Sequence, residues 1–136
     1  MYLLLQHVSG VLIQELATLL KPAGITPEQY HALRILRDAG PEGIPLSVVA
    51  VRAVANDPDV TRLLDRLEHQ GWATRNRDAD DRRVVMARIT SVGSRLLGRL
   101  DAAVAELHER QLGKLGSRNL PALRQLLEEL VSGAGE

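Results

Sequence analysis

The sequence predicts a mainly α fold carrying one small β-hairpin, and three observations predict it. Apolar residues recur at helical spacing along most of the chain, glycine or proline punctuates the junctions, and only one pair of short runs carries strand-favouring Val, Thr and Ile. The scarcity of aromatics, with no Phe, one Trp and two Tyr, further disfavours a sandwich or barrel. At 136 residues the chain is long enough for one core and short of two, so a single domain over residues 1–136 is expected.

In the opening segment Leu5, Val8, Leu12, Leu16, Leu19 and Leu20 recur at three- and four-residue steps, and Leu3, Leu4, Val11 and Ile13 widen the stripe. A helix apolar on more than one side exposes more than a small monomer can cover, so part of it is expected to pack against a second copy. The segment lacks a basic leader and contains Gln6, His7, Gln14 and Glu15, which favours a cytosolic helix over a signal peptide or membrane segment. Pro22 and Gly24 end it.

Thr26-Pro27-Glu28-Gln29 reads as a capping box with Pro at the first helical position. The second helix that starts there presents Tyr30, Leu33 and Leu36 inward and stops at Gly40-Pro41. After Pro45, residues 46–54 read as a short third helix. Asn56-Asp57-Pro58 repeats the start signal, with Asp57 capping and Pro58 in the first turn, and Val60, Leu63, Leu64 and Leu67 follow at i, i+3, i+4, i+7. Gly71 closes this fourth helix, and the third and fourth together have helix-turn-helix spacing.

Residues 72–77 and 83–89 read as the two strands of a hairpin joined by residues 78–82. A lone two-stranded hairpin is marginal in water, so it must lean on the preceding helices. Thr90 or Ser91 then caps a long helix through Leu96, Leu97, Leu100, Val104, Leu107 and Leu112, broken at residues 113–116. A last helix carries Leu120, Leu123, Leu126, Leu127 and Leu130.

Formal charge is zero, so attraction to a polyanion must be local. Residues 62–99 supply it, with nine arginines against five acids. No cysteine means no disulfide, thiolate metal site or thiol switch, in keeping with a reducing cytoplasm. His7, His31, His69 and His108 are scattered without metal-ligand spacing, and no phosphate-binding loop or nucleophile elbow occurs. Neither metal, cofactor nor enzyme activity is expected.

At 100° per residue, the fourth helix gathers its leucines on one side and leaves Pro58, Arg62, Asp65, Arg66 and His69 around the other. Arginine forks onto guanine O6 and N7 in a major groove, its neighbour one turn away can grip phosphate, and Thr61 can meet phosphate or a thymine methyl. The same pattern also suits a solvated face laced with ion pairs. The hairpin loop tips the balance, since Arg82 and Arg83 follow Asp78, Asp80 and Asp81, and a narrow minor groove attracts arginine held by an adjacent carboxylate. Arg75, on the first strand, is a further candidate. The residues Asp57-Pro58-Asp59 suit a helix dipole but oppose phosphate, although Asp59 could accept from cytosine N4.

Residues 25–97 resemble the MarR family of winged helix-turn-helix regulators through ITPEQYHALRIL, DVTRLLDRLEHQGWATR and DADDRRVVMARITSVG. The most specific part is the Asp-x-Arg wing signature with the following Ile-Thr, here Asp81, Arg83, Ile89 and Thr90. The resemblance implies that Thr61, Arg62 and Arg66 face double-stranded DNA, that Arg83 is the wing-tip arginine, and that Asp81 orients it. It implies a winged helix-turn-helix over residues 28–90 and a helical dimerisation lobe from residues 1–20 and 92–131. It further implies a cytoplasmic homodimer on a pseudo-palindromic operator, with half-sites about 34 Å apart, where binding would repress by occluding a promoter, activation being equally compatible with the sequence. A small aromatic or phenolic ligand near Tyr30, His31 and Arg34 would then release the DNA. The rival reading is a helical adaptor that uses the fold for protein contacts alone.

Overall fold

In the computed structural model the described residues are 1–53 and 60–134. The elements run α1 (Tyr2–Leu20), a 3-10 turn (Lys21–Ala23), α2 (Pro27–Ala39), β1 (Ile44–Pro45), α3 (Leu46–Arg52), α4 (Val60–His69), β2 (Ala73–Arg77), β3 (Val85–Ile89), α5 (Ser91–Leu112), a second 3-10 turn (Gly113–Leu115) and α6 (Gly116–Ala134). The fold is mostly helical with a small three-stranded antiparallel sheet. The expected start of the fourth helix at Asp57 and Pro58, and Asp59 with it, lie outside the described residues.

Contacts within the chain divide it into two units, residues 1–101 and 102–136. In the first, Tyr30, Leu33 and Leu36 of α2 are buried with Leu16, Leu20, Val49, Leu63, Leu64, Leu67, Leu96 and Leu97. Each fully buried side chain of this size stabilises the fold by roughly 1.5–3 kcal/mol through water released from apolar surface. The capping box is complete: Thr26 Oγ1 accepts from the Gln29 N–H at 3.2 Å, and the Thr26 N–H donates to Gln29 Oε1 at 3.1 Å. Two of the orphan donors at the start of α2 are thereby satisfied. Arg37 at the other end of α2 grips Asp101 of α5 through two hydrogen bonds of 2.9 and 3.1 Å. In the second unit Val104 and Leu107 are buried, and His108 Nδ1 and Gln111 Oε1 lie 3.1 Å apart.

The sheet departs from the sequence expectation in two ways. A third strand is present, β1, which pairs with β3 in the register Ile44↔Ala87 and Pro45↔Met86. Two residues carry no periodicity, so only the long-range pairing creates this strand. The second departure is the hairpin loop, which runs through residue 84 because β3 starts at Val85. Asp81 captures the chain locally, its Oδ1 accepting from the Arg83 N–H at 3.1 Å and its carbonyl from the Val84 N–H at 3.0 Å. Local side-chain bonds of this kind compete with a ladder, and here they win.

The turn after α4 is tied down tightly. The Trp72 carbonyl accepts from the Thr90 N–H at 2.9 Å, the Thr90 hydroxyl donates to the Gly71 carbonyl at 2.6 Å, and the same hydroxyl accepts from the Gly93 N–H at 3.1 Å. Thr90 is therefore the cap of α5 as well as the lock on the end of β3. Gly93 permits the approach, because a Cβ there would meet the Trp72 carbonyl oxygen at 2.3 Å.

On α1 the burial is one-ended. Leu16 and Leu20 are buried, whereas Leu3, Leu4, Leu5, Val8, Val11 and Ile13 are exposed. The stretch Tyr2–Ala23 is also the one span among the described residues long and apolar enough to cross a membrane. In α6, Leu126, Leu127, Leu130 and Val131 are exposed in the same way.

Candidate nucleic-acid interface

Helix α4 is two-faced because its apolar residues repeat at helical spacing. Leu63, Leu64 and Leu67 are buried, which turns Thr61, Arg62, Asp65, Arg66 and His69 outward, all exposed. Arg62, Asp65, Arg66, His69 and Gln70 line an open depression of about 420 Å3 together with Gln29 from the first turn of α2. Three of the residues expected to face DNA, Thr61, Arg62 and Arg66, thus lie on one accessible side of one helix.

Asp65 and Glu68 belong to the same helix, and β2 answers them. The Arg75 guanidinium donates to Glu68 Oε1 through Nε at 2.6 Å and to Asp65 Oδ1 through Nη2, and Nη1 reaches the Thr61 carbonyl at 3.5 Å. Burial opposes the charge on Arg75, but the hydrogen bonds to Asp65 and Glu68 hold its pKa above the ordinary arginine value. Only 20% of the Arg75 side chain is exposed. Arg75 is therefore turned onto α4 instead of outward.

The wing presents the opposite arrangement. Arg83 is 91% exposed at the loop, yet its Nε and Nη2 donate to the two carboxylate oxygens of Asp81 at 3.1 and 3.2 Å. The side-chain and backbone hydrogen bonds from Arg83 hold the Asp81 carboxyl below the usual carboxylate range. An exposed pair of this type adds little stability, but a two-point contact fixes the direction of the guanidinium. Arg82 is also exposed, and its carbonyl accepts from Arg77 Nη1 at 2.8 Å. Arg77, Asp65 and Glu68 were not among the sequence candidates. The signal for the last two was there: acids at i and i+3 of an arginine-bearing helix, with a further arginine on the strand that returns past it.

The residues expected to meet a small ligand are split. Tyr30 is 1% exposed and belongs to the core, while His31 and Arg34 are exposed on α2. The His31 ring is tilted against Tyr30 at 5.7 Å, and the Arg34 guanidinium stands 5.9 Å from the same ring. None of the three lines the depression on α4. Among the described residues no group of three or more His, Asp or Glu is placed to hold a metal ion.

The sequence profile of the MarR family matches residues 25–85. Over 124 residues, 89% of this chain and 79% of the relative, the chain is 31% identical to the uncharacterized HTH-type transcriptional regulator YhbI of Bacillus subtilis (strain 168). It is 36% identical to a MarR transcription factor from Planctomyces limnophilus, with a TM-score of 0.71 over 93% of this chain and 92% of that one. A mutant MarR from E. coli, solved in complex with operator DNA, is 25% identical with a TM-score of 0.83 over 93% of this chain and 90% of that one. Identities above 30% that extend over most of both partners, on a shared fold, place this chain in the MarR family.

Proposed function

We propose that this chain is a transcriptional regulator that binds double-stranded DNA sequence-specifically, as a homodimer, on a pseudo-palindromic operator. One observation carries the reading: α4 turns Arg62 and Arg66 outward from its buried leucines, and Asp81 aims the exposed Arg83 of the wing. An α-helix with arginine on its outer face suits the major groove, and a pre-aimed arginine on a hairpin suits the minor groove. The E. coli relative bound to operator DNA supports the same use of the fold. Regulators of this family are generally not enzymes.

Dimerisation is supported by the exposed leucines of α1 and, separately, of α6, each a surface that water leaves unfavourably solvated. Within this reading α1 meets a second copy in the cytoplasm instead of crossing a bilayer. Two recognition helices would then enter successive major grooves, and an occupied promoter would be closed to polymerase, so the regulator represses. A small aromatic or phenolic ligand would relieve repression by favouring a dimer whose helices no longer match the groove spacing.

The test is binding to a cognate and a scrambled duplex by the wild type, Arg62→Ala and Arg83→Ala. The reading predicts a clear preference for the cognate duplex in the wild type and a reduced preference in both variants. Unchanged preference in both would favour a helical adaptor that meets proteins through this fold.

A further inference from the structure

Within its described residues α4 carries two arginines and two carboxylates, Arg62 and Arg66 against Asp65 and Glu68, so its fixed charges cancel. A helix with no net charge gains little from approaching a phosphate backbone, and a carboxylate within a few ångströms of phosphate repels it. The structure offers a remedy on the neighbouring strand. Arg75 meets Thr61, Asp65 and Glu68 in succession along one stripe of α4, and its planar fork satisfies both carboxylates at once. Lysine, a point charge, has no such fork.

We propose that Arg75 is a positioning residue for DNA reading, which binds no DNA itself and serves by neutralising Asp65 and Glu68 so that Arg62 and Arg66 dominate the outer face of α4. The inference rests on the DNA-binding reading above, and it assigns Arg75 a role different from a phosphate contact. If Arg75 gripped phosphate, its guanidinium would have to leave two carboxylates that already hold it. Under the proposal the guanidinium stays where it is in free and bound protein alike.

The test compares wild type, Arg75→Gln and the triple variant Arg75→Gln/Asp65→Asn/Glu68→Gln on a fluorescent duplex over a salt series, with Trp72 fluorescence reporting the fold. Arg75→Gln is expected to weaken cognate and scrambled duplexes alike, by about tenfold, because two carboxylates are unmasked at the interface. The triple variant is expected to recover most of that loss, with the salt slope of the wild type. A triple variant as weak as the single one, with a slope smaller by about one, would mean that Arg75 holds a phosphate, and would overturn the proposal. Should Arg75→Gln fail to fold, Asp65→Asn/Glu68→Gln decides: the amides still accept hydrogen bonds from Arg75, so tighter binding than wild type is expected, and binding no tighter refutes it. A wild type that binds no duplex at all is a separate result, and it removes the proposed function itself.

Discussion

Arg62 and Arg66 stand one turn apart on the outer face of α4, and the proposed docking gives them different work. Arg62, nearer the start of the helix, is placed to fork onto a base edge, and Arg66 to meet the backbone. Arg62→Ala should therefore lower discrimination at one base position by about 1–3 kcal/mol, whereas Arg66→Ala should weaken all sequences alike and reduce the salt slope by about one. Competition binding with single-position operator variants separates the two. On the wing, the Asp81 carboxyl is held below its ordinary range by Arg83, so the pair is fully formed above the usual carboxylate pKa and is lost as pH falls through the lowered one. A side-chain NMR titration should show Asp81 protonating at lower pH than it does in Arg83→Ala; coincident curves would mean the contact is absent in solution. The Asp81–Arg83 pairing is what the family resemblance implies, and it is a local one, its partners two residues apart. The partners of Arg75 lie seven and ten residues back, on another element, where spacing gives no guidance.

At the level of elements, the wing depends on how its base is anchored. Periodicity in the sequence revealed α4 and the capping box revealed α2, since both signals are local. β1 escaped notice because a two-residue strand exists only through its partner β3, and that contact joins positions more than forty residues apart. Gly93 is what lets α5 start against the Trp72 carbonyl. That oxygen already accepts from Thr90 and belongs to backbone, so it cannot retreat without cost. Gly93→Ala is expected to destabilise the protein by about 1–3 kcal/mol, the usual range for overpacking. Urea unfolding followed through Trp72 measures it, and a change below about 0.5 kcal/mol would show that the turn tolerates a methyl group.

For the whole molecule, the apolar excess of α1 is legible in the sequence, and the structure leaves that excess exposed at the N-terminal end. What the sequence could not show is which leucines stay uncovered, because that depends on where the helix meets its own core at Leu16 and Leu20. If the exposed side chains meet a second copy, Leu4→Glu should place a charge in an apolar interface and shift the protein to monomer. Sedimentation would show the halved mass, and duplex binding should fall with it. An unchanged mass would move the dimer contact elsewhere.

The central claim is that Arg62, Arg66 and Arg83 read a duplex twice per assembly, at the pitch of the double helix. Selection of bound duplexes from a random pool, with the mass of the complex measured on the same sample, tests it most directly. An enriched inverted repeat is expected, with half-site centres about 10 base pairs apart and two chains on each duplex. A pool that stays random, or a single half-site held by one chain, would contradict it.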